Sequence, residues 1–221
     1  GAYVDSDQNS GKNEQLRLSL KPEFTYKKGK AYILASFNQI ERNLNTSNYR
    51  GRSFQLDALN MFKFSDSFQF ISGVNFQTHR NQSRTPYGDI SSDLASFSNF
   101  DVYAAAVYSP TNRITINVGG RLNMHSNYGN NTVYHINPSY LIFTSNTSSL
   151  KIVSSYSTAF IAPSLYQLFS SYGNLNLMPE VNKTFEIGFD GTYRDWLEYN
   201  TVFFNRAEDQ PIVFNLSLIH I

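Results

Sequence analysis

The sequence contains no cysteine, which excludes a disulfide scaffold and any metal site built on thiolates. Charged residues are also scarce, at 16% of the chain against roughly 25% in typical soluble domains. The formal net charge is +1, so the chain has neither a basic field for nucleic acid nor an acidic field for cations. We therefore expect no nucleic-acid partner.

Long apolar runs are missing as well, since none approaches the ~18–20 consecutive residues of a membrane-spanning helix. This excludes a helical membrane protein but not a membrane barrel, whose strands alternate apolar and polar residues. No secretory signal peptide opens the chain, which begins with Gly1 and not with Met. We expect the chain to be a fragment of a longer protein.

The usual motifs of enzymes are absent: there is no G-x-S-x-G elbow, no glycine-rich phosphate loop and no H-E-x-x-H. The four histidines, His79, His125, His135 and His220, are scattered without the spacing of metal ligands. We interpret them as polar residues of a surface or a lumen. The sequence therefore predicts a protein that is not an enzyme, with no catalytic residues, no bound metal and no cofactor.

Alternation of apolar and polar side chains with a period of two is the dominant pattern. In residues 15–27, for example, leucines and aromatic residues share one face and polar residues the other, apart from an interruption at Pro22. The last of these segments has Leu197, Tyr199 and Phe203 on its apolar face. The alternation predicts ten strands, at 15–27, 31–44, 54–64, 68–76, 100–108, 114–124, 134–142, 150–160, 185–193 and 196–204, with 212–214 as a candidate eleventh.

The connections between these strands alternate in length, which is typical of an up-and-down barrel with tight turns in one compartment and larger loops in the other. Short connections are predicted near 28–29, 65–67, 110–112, 145–149 and 194–195. Longer ones are predicted at 45–51, 80–98, 126–132, 161–182 and 205–210. Pro138 lies inside a predicted strand, where it cannot donate a hydrogen bond, so we expect a bulge or a local bend there.

A soluble β-sandwich also alternates apolar and polar faces, so alternation alone does not decide between sandwich and barrel. Strands of about 11–13 residues, against a globular average of ~5–6, favour the barrel. Aromatic residues close to strand ends, such as Phe62, Phe64, Phe68 and Tyr108, favour it too, because aromatic belts mark membrane interfaces. The fold class predicted is all-β, an antiparallel up-and-down transmembrane β-barrel.

One stretch is more specific than the general alternation of apolar and polar residues. It reads YSTAFIAPSLYQLF at 156–169, YGNLNLMPE at 172–180 and TFEIG at 184–188. Pro163 ends a strand, Ser164 with Gln167 is suited to cap a short helical turn, and Gly173 with Asn174 permits a tight reversal. We interpret the motif residues as structural; they are Phe160, Pro163, Leu165, Gly173, Asn174, Leu177, Pro179, Glu180, Glu186 and Gly188.

This stretch resembles the late-barrel signature of TonB-dependent outer-membrane receptors, and is most similar to the cobalamin (vitamin B12) receptor branch, then to siderophore receptors. The resemblance implies that residues 1–221 are part of a 22-stranded barrel, contributing about 10–11 strands and lacking the plug domain. It also implies a place in the bacterial outer membrane, contact with its lipid, and a TonB partner acting through an N-terminal segment absent here.

The function implied is TonB-dependent import of a scarce, bulky nutrient, with cobalamin as first substrate and a ferric siderophore as second. Tyrosine and arginine suit large amphipathic ligands, so we expect ligand contact among loop residues of these types. The candidates are Arg80, Arg84, Tyr87, Asp89, Tyr128, Tyr166 and Tyr172. The alternative left open is a soluble or surface β-rich adhesin or carbohydrate-binding module.

Overall fold

The computed structural model describes residues 10–170, 173–194 and 196–213. Within them, no helix is long and apolar enough to cross a membrane. The only helix described is a single short turn, α1, and all other regular structure is β. The elements are β1 (Gly11–Leu20), β2 (Glu23–Tyr26), β3 (Gly29–Leu44), β4 (Ser47–Lys63), β5 (Phe68–Thr85), β6 (Gly88–Ile90), β7 (Ser96–Thr111), β8 (Ile114–His125), β9 (Gly129–Thr144), β10 (Ser149–Ile161), α1 (Leu165–Phe169), β11 (Glu180–Tyr193) and β12 (Leu197–Asp209).

The strands form one antiparallel sheet in which each long strand pairs with the next along the chain, in the order β1-β3-β4-β5-β7-β8-β9-β10-β11-β12. The short β2 continues β1 beyond Pro22 and pairs with β3, whereas β6 pairs with β5. The up-and-down topology and the ten predicted strand positions are confirmed. In the described residues the sheet is not closed, and β1 and β12 form its two edges.

The strands are longer than those of globular sheets: β4 has 17 residues and β5 has 18. On β5, the apolar segment from Phe68 to Phe76 extends about 26 Å along the strand, because each residue advances the chain by ~3.3 Å. At a tilt of ~40° this segment spans about 20 Å, close to the ~25 Å apolar band of an outer-membrane barrel.

The pairing register assigns every side chain to one of two faces. Phe54 pairs with Phe37 and Leu56 pairs with Phe76, so the apolar residues of neighbouring strands lie side by side on what we call the outer face. The other face, called the inner face, carries Asp57, Asn75 and other polar residues in rows across the sheet. The preferred apolar face of β12 is confirmed, because Tyr199 and Phe203 pair with outer-face positions of β11.

The outer face is not covered by a second layer. Its large apolar side chains remain exposed, for example Phe54 at 39% and Val102 at 44%. The buried hydrophobic residues among those described are Ala95, Leu165 and Leu168, too few for the core of a sandwich. An apolar wall of this extent requires an apolar surrounding, which a lipid bilayer supplies.

An aromatic cluster marks the end of this wall nearest the tight turns. The ring centroids of Phe62 and Phe64 are 4.9 Å apart, those of Phe64 and Phe68 5.9 Å, and those of Phe68 and Tyr108 6.1 Å. Asn60 is the polar exception on the outer face of β4, and its amide oxygen accepts a hydrogen bond of 2.6 Å from the Tyr26 hydroxyl. Such pairing lowers the desolvation cost of placing the amide against lipid.

The predicted difference between short and long connections is partly wrong. β3 and β4 are joined only by Asn45 and Thr46, with Asn45 at a φ of 42°, so no loop occupies 45–51. β12 likewise continues to Asp209, and β5 extends to Thr85. The long connection predicted between β10 and β11 is confirmed at 162–179. The alternation of apolar and polar side chains ends beyond the bilayer, because water contacts both faces of the sheet there. The backbone hydrogen bonds between strands continue, so the strands extend into segments that were predicted as loops.

Two further expectations need correction. Pro138 causes no shift in the pairing of β8 with β9, and the irregularity between β9 and β10 lies instead between Leu150 and Lys151. The candidate eleventh strand does not form at Ile212, which lies outside any strand, and Phe214 is outside the described residues. Pro138 is accommodated because the remaining hydrogen bonds of β9 hold the register on both sides of the missing donor.

Candidate ligand-binding site

The connection between β10 and β11 packs onto the end of the sheet that carries the larger loops. Pro163 is fully buried, and Leu165 and Leu168 of α1 are buried against the strands. α1 lies beside β5, which is four strands away from β10 in the order of the sheet. Because β10 and β5 are not neighbours, the connection must reach inward across the inner face of the sheet to make this contact.

A capping box holds the first turn of α1. The Ser164 hydroxyl accepts a hydrogen bond of 3.2 Å from the backbone N–H of Gln167, while the side-chain Oε1 of Gln167 accepts one of 2.8 Å from the backbone N–H of Ser164. The predicted capping role of this pair is confirmed. After α1 the chain reverses, with the backbone N–H of Gly173 donating to Ser170 and that of Asn174 donating to Gln167.

The far end of the connection is tied to the turn between β8 and β9. The Tyr128 hydroxyl donates a hydrogen bond of 3.1 Å to the carbonyl oxygen of Leu177. Burial raises the pKa of the Tyr128 phenol, so this hydroxyl keeps its proton at neutral pH and remains a donor. Tyr128, a predicted ligand contact, is therefore an anchor of the connection.

Tyr128 is also the last ring of a stack that crosses the inner face. Ring centroids are 4.7 Å apart for His79 and Phe97, 4.8 Å for Phe97 and His125, and 5.1 Å for His125 and Tyr128. The His125 Nδ1 accepts from the backbone N–H of Asn127 at 3.1 Å. Its Nε2 is buried and has no hydrogen-bond partner. The two histidines, predicted as polar residues of a surface or lumen, thus belong to an aromatic ladder on the inner face.

Three tyrosines from separate elements face one cleft of about 180 Å³ beside α1. Tyr49 comes from β4, Tyr87 from the turn between β5 and β6, and Tyr166 from α1. Their exposed fractions are 37%, 84% and 55%, so all three rings are accessible. The remaining lining is Asn81, Ser83, Thr85, Gly88, Ile90 and Ser170.

None of the described residues that line this cleft carries a charge. Its polar groups are hydroxyls and amides, including Ser83, which is buried. Tyrosine offers an apolar ring and a polar tip, and the surrounding groups donate and accept hydrogen bonds. The cleft is therefore suited to a bulky ligand that is amphipathic and largely uncharged at the point of contact.

Below the cleft, the inner face carries a polar network around two carboxylates. Asp57 accepts hydrogen bonds from Asn75 at 3.2 Å and from the Tyr103 hydroxyl at 3.1 Å. Asp101, which is almost completely buried, accepts from the side chains of Asn99 and Asn123, each at 2.8 Å, and from Arg121 at 3.3 Å. This network gives the inner face a fixed, hydrophilic surface.

Large rings on the inner face lie over glycines of the neighbouring strand. The ring of Tyr103 covers Gly73, and the imidazole of His135 covers Gly119. A side chain at either glycine would collide with the ring above it. The Arg121 guanidinium in turn lies 5.0 Å from the centroid of the Tyr103 ring, within range of a cation–π interaction.

The structure brings together only some of the predicted ligand contacts. Tyr87 and Tyr166 meet at the cleft. Arg80, Arg84 and Asp89 instead occupy outer-face positions, since Arg80 pairs with Arg52 and Arg84 pairs with Asp89. Tyr172 lies outside the described residues. Whether any of these residues contacts a ligand stays a prediction.

Tyr49, Ser83 and the ring of Phe97 were missed by the sequence reasoning. Tyr49 lies in the segment interpreted as a loop, and Ser83 and Phe97 lie in a second one. The available signal was Tyr49 at an odd position of β4, in phase with the inner-face Asp57. No metal site was predicted, and no cluster of three or more metal-ligating side chains occurs in the described part of the chain.

Glu180, another residue of the motif, holds the start of β11. The Glu180 carboxylate accepts from the side chain of Asn182 at 2.8 Å, from Arg206 at 3.4 Å and from the backbone N–H of Ile212 at 3.4 Å. These bonds keep the pKa of Glu180 below its ordinary value of 4.5, with the hydrogen bond from Asn182 as the largest cause. Glu186 and Gly188 lie on the inner face of the same strand. Phe160 pairs with Val181 on the outer face.

Comparison with known proteins supports one family. The family model described as TonB dependent receptor-like, beta-barrel matches residues 2–217. The vitamin B12 transporters BtuB of several Vibrio cholerae serotype O1 strains are 27% identical over 172 residues, which is 77% of this chain and 24% of theirs. The chain thus spans about a quarter of the curated relatives it matches.

Solved structures share the fold at low sequence identity. The siderophore receptor PirA from Pseudomonas aeruginosa superposes with a TM-score of 0.78 at 18% identity, over 96% of this chain and 42% of that one. A mutant of the ferric enterobactin receptor PfeA from the same species gives 0.75 at 14% identity, over 90% of this chain and 35% of that one. The RagAB peptide transporter gives 0.74 at 14% identity, over 91% and 30%.

Proposed function

Because the chain belongs to the TonB-dependent receptor-like β-barrel family of the bacterial outer membrane, we propose that its receptor imports a scarce, bulky nutrient with energy delivered through TonB. The similarity to vitamin B12 transporters supports cobalamin as the first substrate. The fold shared with siderophore receptors supports a ferric siderophore as the second. TonB would act through an N-terminal segment, as the family resemblance implies.

The cleft between Tyr49, Tyr87 and Tyr166 is the observation that supports ligand binding at this end of the sheet. It opens at the loop-bearing end of the sheet, which in outer-membrane barrels faces the exterior. The uncharged lining of the cleft favours cobalamin over a ferric siderophore. A strongly anionic ferric siderophore would lose hydration there without gaining a cationic partner, whereas a large ligand of mainly neutral surface would not.

The connection at 162–179 is the element that responds to the ligand in this proposal. It carries Tyr166 and is held at two points, by the buried Leu165 and Leu168 and by the hydrogen bond from Tyr128 to Leu177. A ligand that stacks on Tyr166 adds a third point of attachment and favours the inward position of the connection. The polar network around Asp57 and Asp101 then forms the hydrophilic wall of the path below.

Ligand binding to the full-length receptor tests the proposal. We expect cyanocobalamin to bind at or below micromolar concentration, and Tyr166→Ala or Tyr87→Ala to weaken binding about 5- to 30-fold, the usual effect of losing a contacting aromatic residue. Tyr134→Ala is the matched control, because Tyr134 lies on the outer face near the same end of the sheet, where its ring is tilted against that of Tyr156. Its affinity should equal that of the wild type.

A ferric catecholate and a ferric hydroxamate siderophore are measured in parallel. Binding of a siderophore in place of cobalamin would exchange the order of the two substrates, and no binding of any of them at micromolar concentration would remove both. The alternative of a soluble adhesin or carbohydrate-binding module finds no support in a single sheet with an exposed apolar face. Recovery of the full-length protein from the soluble fraction without detergent would revive it.

A further inference from the structure

His125 is the last residue of β8 and lies just beyond the apolar wall, which ends on this strand at Met124. Its imidazole is buried on the inner face, where only 7% of the residue is exposed. The ring stacks on Phe97 on one side and lies against Tyr128 on the other. The protonation state of His125 therefore affects neighbours on both sides of the ring.

A hydrogen bond at Nδ1 selects the protonation state of His125 in the folded protein. Nδ1 accepts from the backbone N–H of Asn127 at 3.1 Å, so this nitrogen carries no hydrogen. The single hydrogen of the neutral ring is therefore on Nε2, which is buried and has no acceptor among the described residues. The fold thus holds His125 as the neutral Nε2–H tautomer.

Protonation of Nδ1 would turn this hydrogen bond into a contact between two donors. The Nδ1–H of an imidazolium would point at the N–H of Asn127, and a positive charge would be buried without an acceptor for it in the described part of the chain. Burial lowers the pKa of His125 below its ordinary value of 6.5, and a charge on His79 lowers it further. The stacked ring therefore binds a proton more weakly than a histidine in water.

The charged groups on the strands around His125 do not compensate this cost. Asp101 of β7 is already engaged by Arg121 of β8, whose Nη1 lies 3.3 Å from the carboxylate. His79 of β5 lies at the other end of the ring stack, where a proton would add a second positive charge. The strands therefore offer His125 no additional stabilisation of its charged form.

The turn after β8 and the connection above it bring no compensating charge either. Residues 126–133 contain no acidic, basic or histidine side chain, and their one titratable group is the neutral phenol of Tyr128. Glu180, at the end of the connection, accepts hydrogen bonds from Arg206 and Ile212. The pKa of Glu180 lies below 4.5, so it does not titrate where a histidine does.

The bond between Asn127 and the imidazole positions the turn that carries Tyr128. The turn is also held by the backbone N–H of Ser126, which donates to the carbonyl oxygen of Ser98 at 2.9 Å. Tyr128 directly follows Asn127, and its hydroxyl donates to the carbonyl oxygen of Leu177 at 3.1 Å. A displacement of Asn127 therefore moves the hydroxyl that anchors the far end of the connection.

We propose that His125 is a pH-sensitive latch for the connection at 162–179: the neutral imidazole holds Tyr128 against Leu177, and protonation releases this end of the connection. The released ring is solvated and binds a proton with the ordinary affinity of histidine. The latched state is therefore fully stable above about pH 6.5 and loses stability as the pH falls below that value. The latch belongs to the connection itself and does not depend on which substrate the cleft binds.

The protection factor of the Leu177 amide, its intrinsic exchange rate at each pH divided by its measured rate, tests the latch. It is measured on the full-length receptor in detergent, without ligand, between about pH 7.5 and pH 5.5. It should fall several-fold, and by at most about tenfold per pH unit, because one proton is taken up on release. The Ser170 amide, which donates to Tyr166 at the opposite end of the connection, should keep its protection.

His125→Asn removes the titration and keeps the hydrogen bond. The side-chain oxygen of asparagine accepts from the backbone N–H two residues on, as in an Asx turn, so protection of Leu177 should not change with pH in this variant. Tyr128→Phe lacks the anchoring hydroxyl, so it should show weak protection without a pH step. It carries the test if His125→Asn does not fold.

His79→Phe is the matched control. It removes the other histidine of the stack and keeps a ring in its place, so the fall in protection of Leu177 should persist. Constant protection of Leu177 in the wild type would overturn the latch. A fall of equal size in His125→Asn or Tyr128→Phe would overturn it too, and so would loss of the fall in His79→Phe. Ligand binding is measured separately, so its failure would leave this result unaffected.

Discussion

The Tyr128 hydroxyl lies 3.1 Å from the carbonyl oxygen of Leu177 and joins two segments that are 49 residues apart in sequence. This bond links the turn after β8 to the connection that carries α1. The tyrosine ring is fixed from the other side by the stack of His125, Phe97 and His79. The position of the connection over the inner face is therefore coupled to a ladder of rings on three strands.

Tyr128→Phe should release the far end of this connection while leaving the ring stack intact. Loss of one neutral hydrogen bond removes about 0.5–1.5 kcal/mol, so local opening should become roughly 2- to 10-fold more frequent. Hydrogen exchange at the amide of Leu177 should accelerate by that factor. Tyr134→Phe serves as control, and an unchanged exchange rate in Tyr128→Phe would show that the connection is held by other contacts.

Asp101→Ala should strongly destabilise the barrel. It would remove the buried carboxylate that accepts hydrogen bonds from Arg121, Asn99 and Asn123, at a cost of about 2–4 kcal/mol. Asp190→Ala is the comparison: Asp190 is also on the inner face, but it is half exposed and pairs loosely with Lys151 at 3.6 Å. That variant should lose at most ~1 kcal/mol.

Urea unfolding of the full-length receptor in lipid vesicles measures both aspartate variants. Equal losses would contradict the assignment of Asp101 as the centre of the inner network.

The assignment of faces is tested by placing the same charge on each side of β5. Val74→Arg puts a guanidinium into the middle of the apolar wall and should lower the free energy of unfolding by about 2–4 kcal/mol. Gln77→Arg puts it on the inner face, in contact with water, and should change stability by less than ~1 kcal/mol. Vesicle-based unfolding gives both values, and the reverse order would mean that the two faces have been exchanged.

The carboxylate of Glu180 should make the start of β11 sensitive to acid. Its pKa is held below the ordinary value of 4.5 in the folded protein, so its stabilising contribution is complete above pH 4.5. The contribution is lost as the pH falls through the depressed folded pKa, when the protonated group no longer accepts the same bonds. The protection factor of the Ile212 amide, which is its intrinsic exchange rate at each pH divided by its measured rate, should therefore fall on acidification below pH 4.5.

Glu180→Gln is the control for this acid response. The amide of that variant does not titrate, so the protection factor of its Ile212 amide should show no matching step in this pH range. A step of equal size in both proteins would assign the acid sensitivity to another group.

The sequence predicted the membrane-spanning part of the strands well and the loop-bearing end of the sheet poorly. Inside the bilayer one face must be apolar and the other wet, so Leu197, Tyr199 and Phe203 could be assigned to a face before any pairing was known. Beyond the bilayer this constraint disappears. Tyr49 was consequently placed in a loop, and Arg80 and Arg84 were grouped with Tyr87 although they lie on the opposite side of the strand from the cleft.

The capping pair Ser164 and Gln167 was predictable because it depends on local spacing alone. The contact of α1 with β5 was not, because it joins segments far apart in the chain whose meeting depends on how the whole sheet curves. The ring ladder from His79 to Tyr128 was unpredictable for the same reason: each ring comes from a different strand or turn, and only the register brings them into line.

The glycines beneath Tyr103 and His135 influence how far these two rings project from the inner face. The rings of Tyr103 and His135 occupy the space that a side chain at Gly73 or Gly119 would fill, so a methyl group there would push the ring away from the sheet and toward the lumen. In the import path proposed above, the clearance for a ligand would thus depend in part on two residues, Gly73 and Gly119, that the ligand itself would not touch.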